Sequence, residues 1–165
     1  MKLEIPIKEE CLLRKTLQLF ITSLFMIGIL AGCQNNIEKP LQDGNYSVIF
    51  DKPDPTNWKA FMSLEILNGE ITSVNYDYEG TGENQGTLKS EDKAYNEAML
   101  ATKGTNPVIY LDQLEKALLL HQNPDEVDTV SGATTSSKDF RTFSTALLKA
   151  AQEGNEELII VKQHE

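Results

Sequence analysis

The chain has 165 residues, with 15 basic and 25 acidic side chains and a formal charge of −10. That length suits one domain, and the acidic balance argues against binding nucleic acid or anionic lipid through a basic patch. The histidines, His121 and His164, show neither paired spacing nor an HExxH sequence, which argues against a histidine metal site.

Residues 1–32 read as a targeting segment. Arg14-Lys15 precedes an apolar run from Leu17 to Leu30, which ends in Leu30-Ala31-Gly32-Cys33. The run is short for a membrane-spanning helix, which needs about 20 residues. Small residues before a cleavage point mark a secretory signal, and Leu-Ala-Gly-Cys resembles a bacterial lipobox. The resemblance implies cleavage before Cys33 and lipid on that cysteine. Residues 33–165 would then carry 11 basic and 22 acidic side chains, a net charge of about −11. Cys11 leaves with the signal and Cys33 is lipidated, so no disulfide or thiolate metal site remains. Redox chemistry in such a chain requires a cofactor.

Residues 33–42 are polar, contain Pro40, and read as a tether. The folded domain is expected over residues 43–165. Tyr46, Val48 and Phe50 alternate with Asn45, Ser47 and Ile49, which predicts a first strand. Pro53 and Pro55 make residues 51–57 a loop. Strand-like runs over 59–67 and 70–78 are joined by Asn68-Gly69, a pair suited to a type I′ turn because both positions need positive φ. The turn sets a register with Ile66 opposite Ile71 and Phe61 opposite Tyr76. Residues 79–87, with Gly80, Gly82 and Gly86, read as a mobile loop.

Ser90-Glu91-Asp92 opens a first helix that places Ala94, Tyr95, Ala98 and Met99 on one face, with Gly104 and Pro107 as its stop. A second helix is expected over about 109–120, with Leu111, Leu114 and Leu118 on one face. A third, over about 137–153, carries Phe140, Phe143, Ala146, Leu147 and Ala150 at helical spacing. Residues 158–161 form a last strand or a packed tail. The sum is an α+β domain: a small, mainly antiparallel sheet with about three helices packed against it.

The most informative stretch is residues 128–137, in which six of ten residues are Ser or Thr. Hydroxyls and a glycine before a helix suit a phosphate, because the helix N-terminus offers free N–H groups and a positive dipole end. A plain capping loop accounts for the same residues, since Ser136 followed by Asp139 fits an [ST]-x-x-[DE] pattern. Trp58 and the tyrosines 46, 76, 78, 95 and 110 either stack on a ligand or pack in the core.

Asp128-x-x-Ser131-Gly132-Ala133-Thr134 resembles the flavinylation signature of the FMN-binding domain family, which includes the flavin subunits of Rnf and sodium-pumping quinone reductase complexes and flavin-carrying lipoproteins. Asp43-Gly44-x-Tyr46 and Asn68-Gly69-x-Ile71 are similar to its DGxY and DGxI elements, with Asn68 in place of the commoner Asp. The resemblance implies covalent FMN, joined through its phosphate to Thr134 by a flavin transferase that uses FAD. Asp128, Ser131, Gly132 and Ala133 would be the recognition sequence; Asp128 has a turn-forming or capping role as its alternative. It further implies an electron carrier with no catalytic residues of its own, lipid-anchored on the extracytoplasmic face of the cell membrane. A quinol or flavin dehydrogenase would be its donor. A competing expectation is a lipoprotein module that holds FMN or another small ligand non-covalently for sensing.

Overall fold

A computed structural model describes residues 39–163. The expected signal segment, Cys33 and His164 lie outside the described residues. The elements are β1 (Gly44–Phe50), β2 (Trp58–Leu67), β3 (Glu70–Gly80), α1 (Lys93–Lys103), α2 (Pro107–His121), α3 (Thr134–Glu153) and β4 (Ile159–Val161), with short 3-10 turns at Gly82–Asn84 and Pro124–Glu126. The sheet order is β3-β2-β1-β4. The first three strands form an antiparallel meander, and β4 returns to pair with β1 in parallel. This is the α+β architecture that the sequence predicts.

Alternation builds one face of the sheet. Tyr46, Val48 and Phe50 on β1 and Ala60, Met62, Leu64 and Ile66 on β2 are all buried. Against them lie Leu111, Leu114 and Leu118 of α2 and Phe140, Phe143, Leu147 and Ala150 of α3. Helix α3 covers β1 and β2, and α2 lies along β3.

The Asn68-Gly69 turn has φ of 55° and 77° at its two positions, as a type I′ turn needs. Ile66 pairs with Ile71, but Phe61 pairs with Asp77, and Tyr76 lies opposite Met62. A bulge next to Ile66 shifts the register by one residue. Ile71 and Val74 both face the core while Thr72 and Ser73 are exposed. Two residues lie between these inward positions, which strict alternation forbids and one extra residue permits.

Other boundaries moved. Helix α2 begins at Pro107, the first-turn position that suits proline. In α1 it is Asn96, not Ala94 or Ala98, that is buried; its side-chain amide donates to the carbonyls of Lys89, Ser90 and Asp92. The glycine-rich segment after β3 is tied back to the sheet: Gly80 N–H donates to Thr87 O at 2.9 Å, and Lys89 N–H to Tyr78 O at 2.9 Å. At the N-terminal side, Leu41 packs on the core, and Gln42 N–H donates to Ala151 O at 3.0 Å. The end of the expected tether is thus part of the folded body.

Candidate functional site

Helix α3 starts three residues earlier than its hydrophobic pattern suggests. Thr134 is its first residue, and Ala133 is the N-cap, with no side-chain cap and no acidic residue in the first turn. Among the described residues the two other long helices are capped: Asp92 accepts from Tyr95 N–H, and Asn106 from Ile109 N–H. Ser136 is not the N-cap that the expected Ser136–Asp139 capping pattern requires. Ser136 lies within the helix, and Asp139 is buried. The 20-residue helix therefore presents its positive end without a side-chain acceptor of its own.

The loop before it is a tight turn. Ala133 N–H donates to Val130 O at 3.0 Å, and Gly132 has φ +81°. A Cβ at Gly132 would lie 2.8 Å from Lys103 O and 3.0 Å from Thr105 Cγ2. Glycine is required there both for its conformation and for the close approach to the α1–α2 connection. Ala133 is buried in the core, so its small side chain is a packing requirement. Ser137, one turn into α3, accepts from Val130 N–H at 3.0 Å and donates to Ala133 O at 2.9 Å. One turn further, an Arg141 terminal nitrogen donates to Thr129 Oγ1 at 3.0 Å. The segment 129–133 is thereby laid against the first two turns of α3.

This arrangement brings Asp128, Ser131 and Thr134 to one exposed loop–helix junction, with Thr135 also exposed. A groove of about 420 Å³ adjoins it, lined by Ile109, Gln113 and Ala117 of α2 and by Asp128, Thr129 and Ser131. Thr105 also borders the groove, and its buried hydroxyl has no hydrogen-bond partner among the described residues.

Beneath the first turn of α3 lies a buried polar cluster. Tyr76 hydroxyl donates to Ser136 O at 3.1 Å and lies 2.7 Å from the Tyr78 hydroxyl. Burial raises both hydroxyls well above the usual tyrosine value, and raises Tyr110 as well. Lys89 is 6% exposed. Its ammonium stands 4.4 Å from the ring centre of Tyr78, 5.0 Å from Tyr95 and 5.7 Å from Trp58. Burial lowers its pKa, while Asp54, Asp77 and Asp139 pull it back up. Trp58 is buried among these groups, so it packs rather than standing at the surface.

The model of the FMN-binding domain matches residues 58–149, more than half of the chain. The chain belongs to the FMN-binding domain family. This FMN-binding domain is 37% identical to the 15 kDa lipoprotein of Treponema pallidum (strain Nichols) over 120 residues, 73% of this chain and 83% of that protein. The crystal structure of the CPE2226 protein from Clostridium perfringens superposes with a TM-score of 0.70 at 39% identity, covering 75% of this chain and 99% of that one.

Sequence reasoning places Asp128, Ser131, Gly132, Ala133 and Thr134 of the FMN-binding domain in one motif; Asp128 to Ala133 lie in the loop, and Thr134 opens helix α3. It misses Ser137 and Arg141, which hold that loop, and Lys89. A serine inside an amphipathic helix carries no signal of its own. A lysine next to the Gly-rich segment reads as solvent-exposed, because lysine is rarely buried.

Proposed function

We propose that Thr134 carries FMN through a phosphoester bond and that the domain is a membrane-anchored extracytoplasmic electron carrier. The observation that carries this reading is the position of Thr134: exposed, first in α3, at a helix N-terminus whose N-cap is alanine. A phosphate on Thr134 meets free first-turn N–H groups and the positive dipole end, in a place where an acidic cap would repel it. The turn at Gly132 lets the backbone lie close, and the exposed Asp128 and Ser131 are available to a flavin transferase. The residues present therefore suit the phosphate of FMN.

FMN supplies reversible one- or two-electron chemistry when bound. The protein's part is to hold the phosphate, to keep the loop in one conformation through Ser137 and Arg141, and to surround the first turn with hydroxyl donors. The neighbouring carboxylate, Asp139, sits among tyrosines. Lipid on Cys33 would anchor the domain, and the named lipoprotein relative supports that reading. A quinol or flavin dehydrogenase is the donor this chemistry calls for.

A second reading draws on the groove beside Ser131 and the orphaned Thr105 hydroxyl. These favour a module that holds FMN or another small ligand without a covalent link. Co-expression with a flavin transferase, followed by intact mass and a visible spectrum of the denatured protein, separates the two. The covalent reading expects a gain of one FMN less one water, lost in Thr134→Ala and kept in Thr135→Ala. Flavin that washes away from the denatured wild type supports the second reading.

A further inference from the structure

The geometry points to Lys89 as the residue that sets how readily the flavin of this domain accepts electrons; the inference rests on the Thr134 reading above. Lys89 is tied to the cofactor end of α3 by a short run of contacts. Its ammonium lies 4.4 Å from the Tyr78 ring, the Tyr78 hydroxyl lies 2.7 Å from that of Tyr76, and Tyr76 donates to the carbonyl of Ser136, two residues from Thr134. Rings from three parts of the fold hold it, Trp58 on β2, Tyr78 on β3 and Tyr95 on α1, and Asp54, Asp77 and Asp139 act on it through their charge.

Such a cage is costly to build for structure alone. An ammonium is strongly hydrated, and burying it needs compensation from ring faces and carboxylates. A methionine would fill the same aromatic space at no desolvation cost. What the ammonium alone brings is a fixed positive charge in a low-dielectric place, where its field reaches further than that of a surface lysine. Asp54, Asp77 and Asp139 moderate that field, and the N-terminal end of α3 reinforces it.

A positive charge there matters in one direction. Two electrons from the donor dehydrogenase and one proton from solvent convert a neutral oxidised flavin ring to a reduced ring that bears one negative charge. A fixed cation whose field reaches the ring favours the product over the reactant. Lys89 thus biases the domain toward the reduced state and lets it draw electrons from weaker donors.

The test compares flavinylated wild type with Lys89→Met, Lys89→Gln and Lys138→Gln, by equilibrium with a reference dye during dithionite titration. Lys138 lies four residues after Thr134 on α3 and is exposed. Lys89→Met and Lys89→Gln are expected to shift the reduction equilibrium about tenfold toward the oxidised flavin, about 30 mV for a two-electron couple. Lys138→Gln is expected to shift it less than twofold, and not at all in high salt. Flavin stoichiometry by mass and the melting temperature check that the fold is kept. A Lys89→Met protein within twofold of wild type overturns the inference, as do equal shifts from Lys89 and Lys138. Loss of the fold in both Lys89 variants assigns the residue to stability and overturns it too. Wild type that gains no covalent FMN overturns the Thr134 reading and this inference together; loaded protein with unmoved potentials overturns this inference alone.

Discussion

Ser137 Oγ accepts the Val130 N–H at 3.0 Å and donates its own hydroxyl hydrogen bond to Ala133 O at 2.9 Å. One hydroxyl thereby closes both ends of the turn that precedes Thr134. Ser137→Ala leaves the Val130 amide without that acceptor. Removing one partner of a buried hydrogen bond costs about 1–3 kcal/mol, so urea denaturation should show a loss of that size. A midpoint unchanged from wild type would show that water replaces the hydroxyl.

Gly132 and Gly86 form a matched pair. Both have positive φ, +81° and +85°, but a Cβ at Gly132 meets Lys103 O at 2.8 Å while one at Gly86 meets nothing within 4 Å. Alanine at either site takes on about 1–2 kcal/mol of left-handed strain. Gly132→Ala should lose more than Gly86→Ala, because the obstructing atom is backbone. Equal losses in thermal melts would mean that the α1–α2 connection gives way freely.

Glu115 makes stability depend on pH. Its carboxylate accepts the Tyr76 N–H at 2.7 Å, yet burial holds its pKa above the ordinary value, with Asp112 and Asp77 adding to the rise. Below the unfolded value, about 4.3, the group is protonated in both states. As pH rises from there to the raised folded value, the unfolded chain releases its proton first, and the folded state loses stability. Glu115→Gln keeps an acceptor for Tyr76 without the titration. The wild type should therefore fall relative to Glu115→Gln as pH rises from about 4 through that window, measured by denaturation at each pH. A difference that stays constant would refute the assignment.

Asn96→Ala removes one side chain that serves the carbonyls of Lys89, Ser90 and Asp92. The segment joining β3 to α1 should open, with faster amide exchange at Lys89 and Ser90 and a loss of about 1–3 kcal/mol. If exchange at those amides is unaltered, the bonds from Lys89 to Tyr78 and from Ser90 to Asp77 hold the segment without Asn96.

Local chemistry made much of the fold legible. Asn68-Gly69 specifies its turn through two positive φ angles, and the alternation of Tyr46, Val48 and Phe50 defines the inner face of the sheet. The bulge beyond Ile71 was not legible, because it answers a packing demand that appears only when β3 meets the helices. The start of α3 was misplaced because Thr134, Thr135 and Ser136 are weak helix formers that usually precede a helix. Their place inside it left Ala133 as the cap. Gln122 is another such case. It takes φ of 58° at the end of α2, and its side chain bonds both the N–H and the carbonyl of Ile71. No sequence pattern distinguishes that glutamine from a solvated one. Within the site, the loop residues were readable as a motif, whereas their supports, Ser137 and Arg141, depend on how the loop folds back on the helix.

Helix α3 also acts as a ruler. Gln42 is bonded to Ala151 near its last turn, while Thr134 is its first residue. At about 1.5 Å per residue the two points lie about 26 Å apart along the axis. The chain thus arrives at one pole of the domain, and the proposed cofactor residue stands at the other. With the proposed lipid on Cys33, the proposed flavin site would be the end of the domain away from the point where the tether enters it. An electron partner in the bilayer would then require the domain to turn on its tether, so orientation, as well as redox potential, would govern which partner it serves.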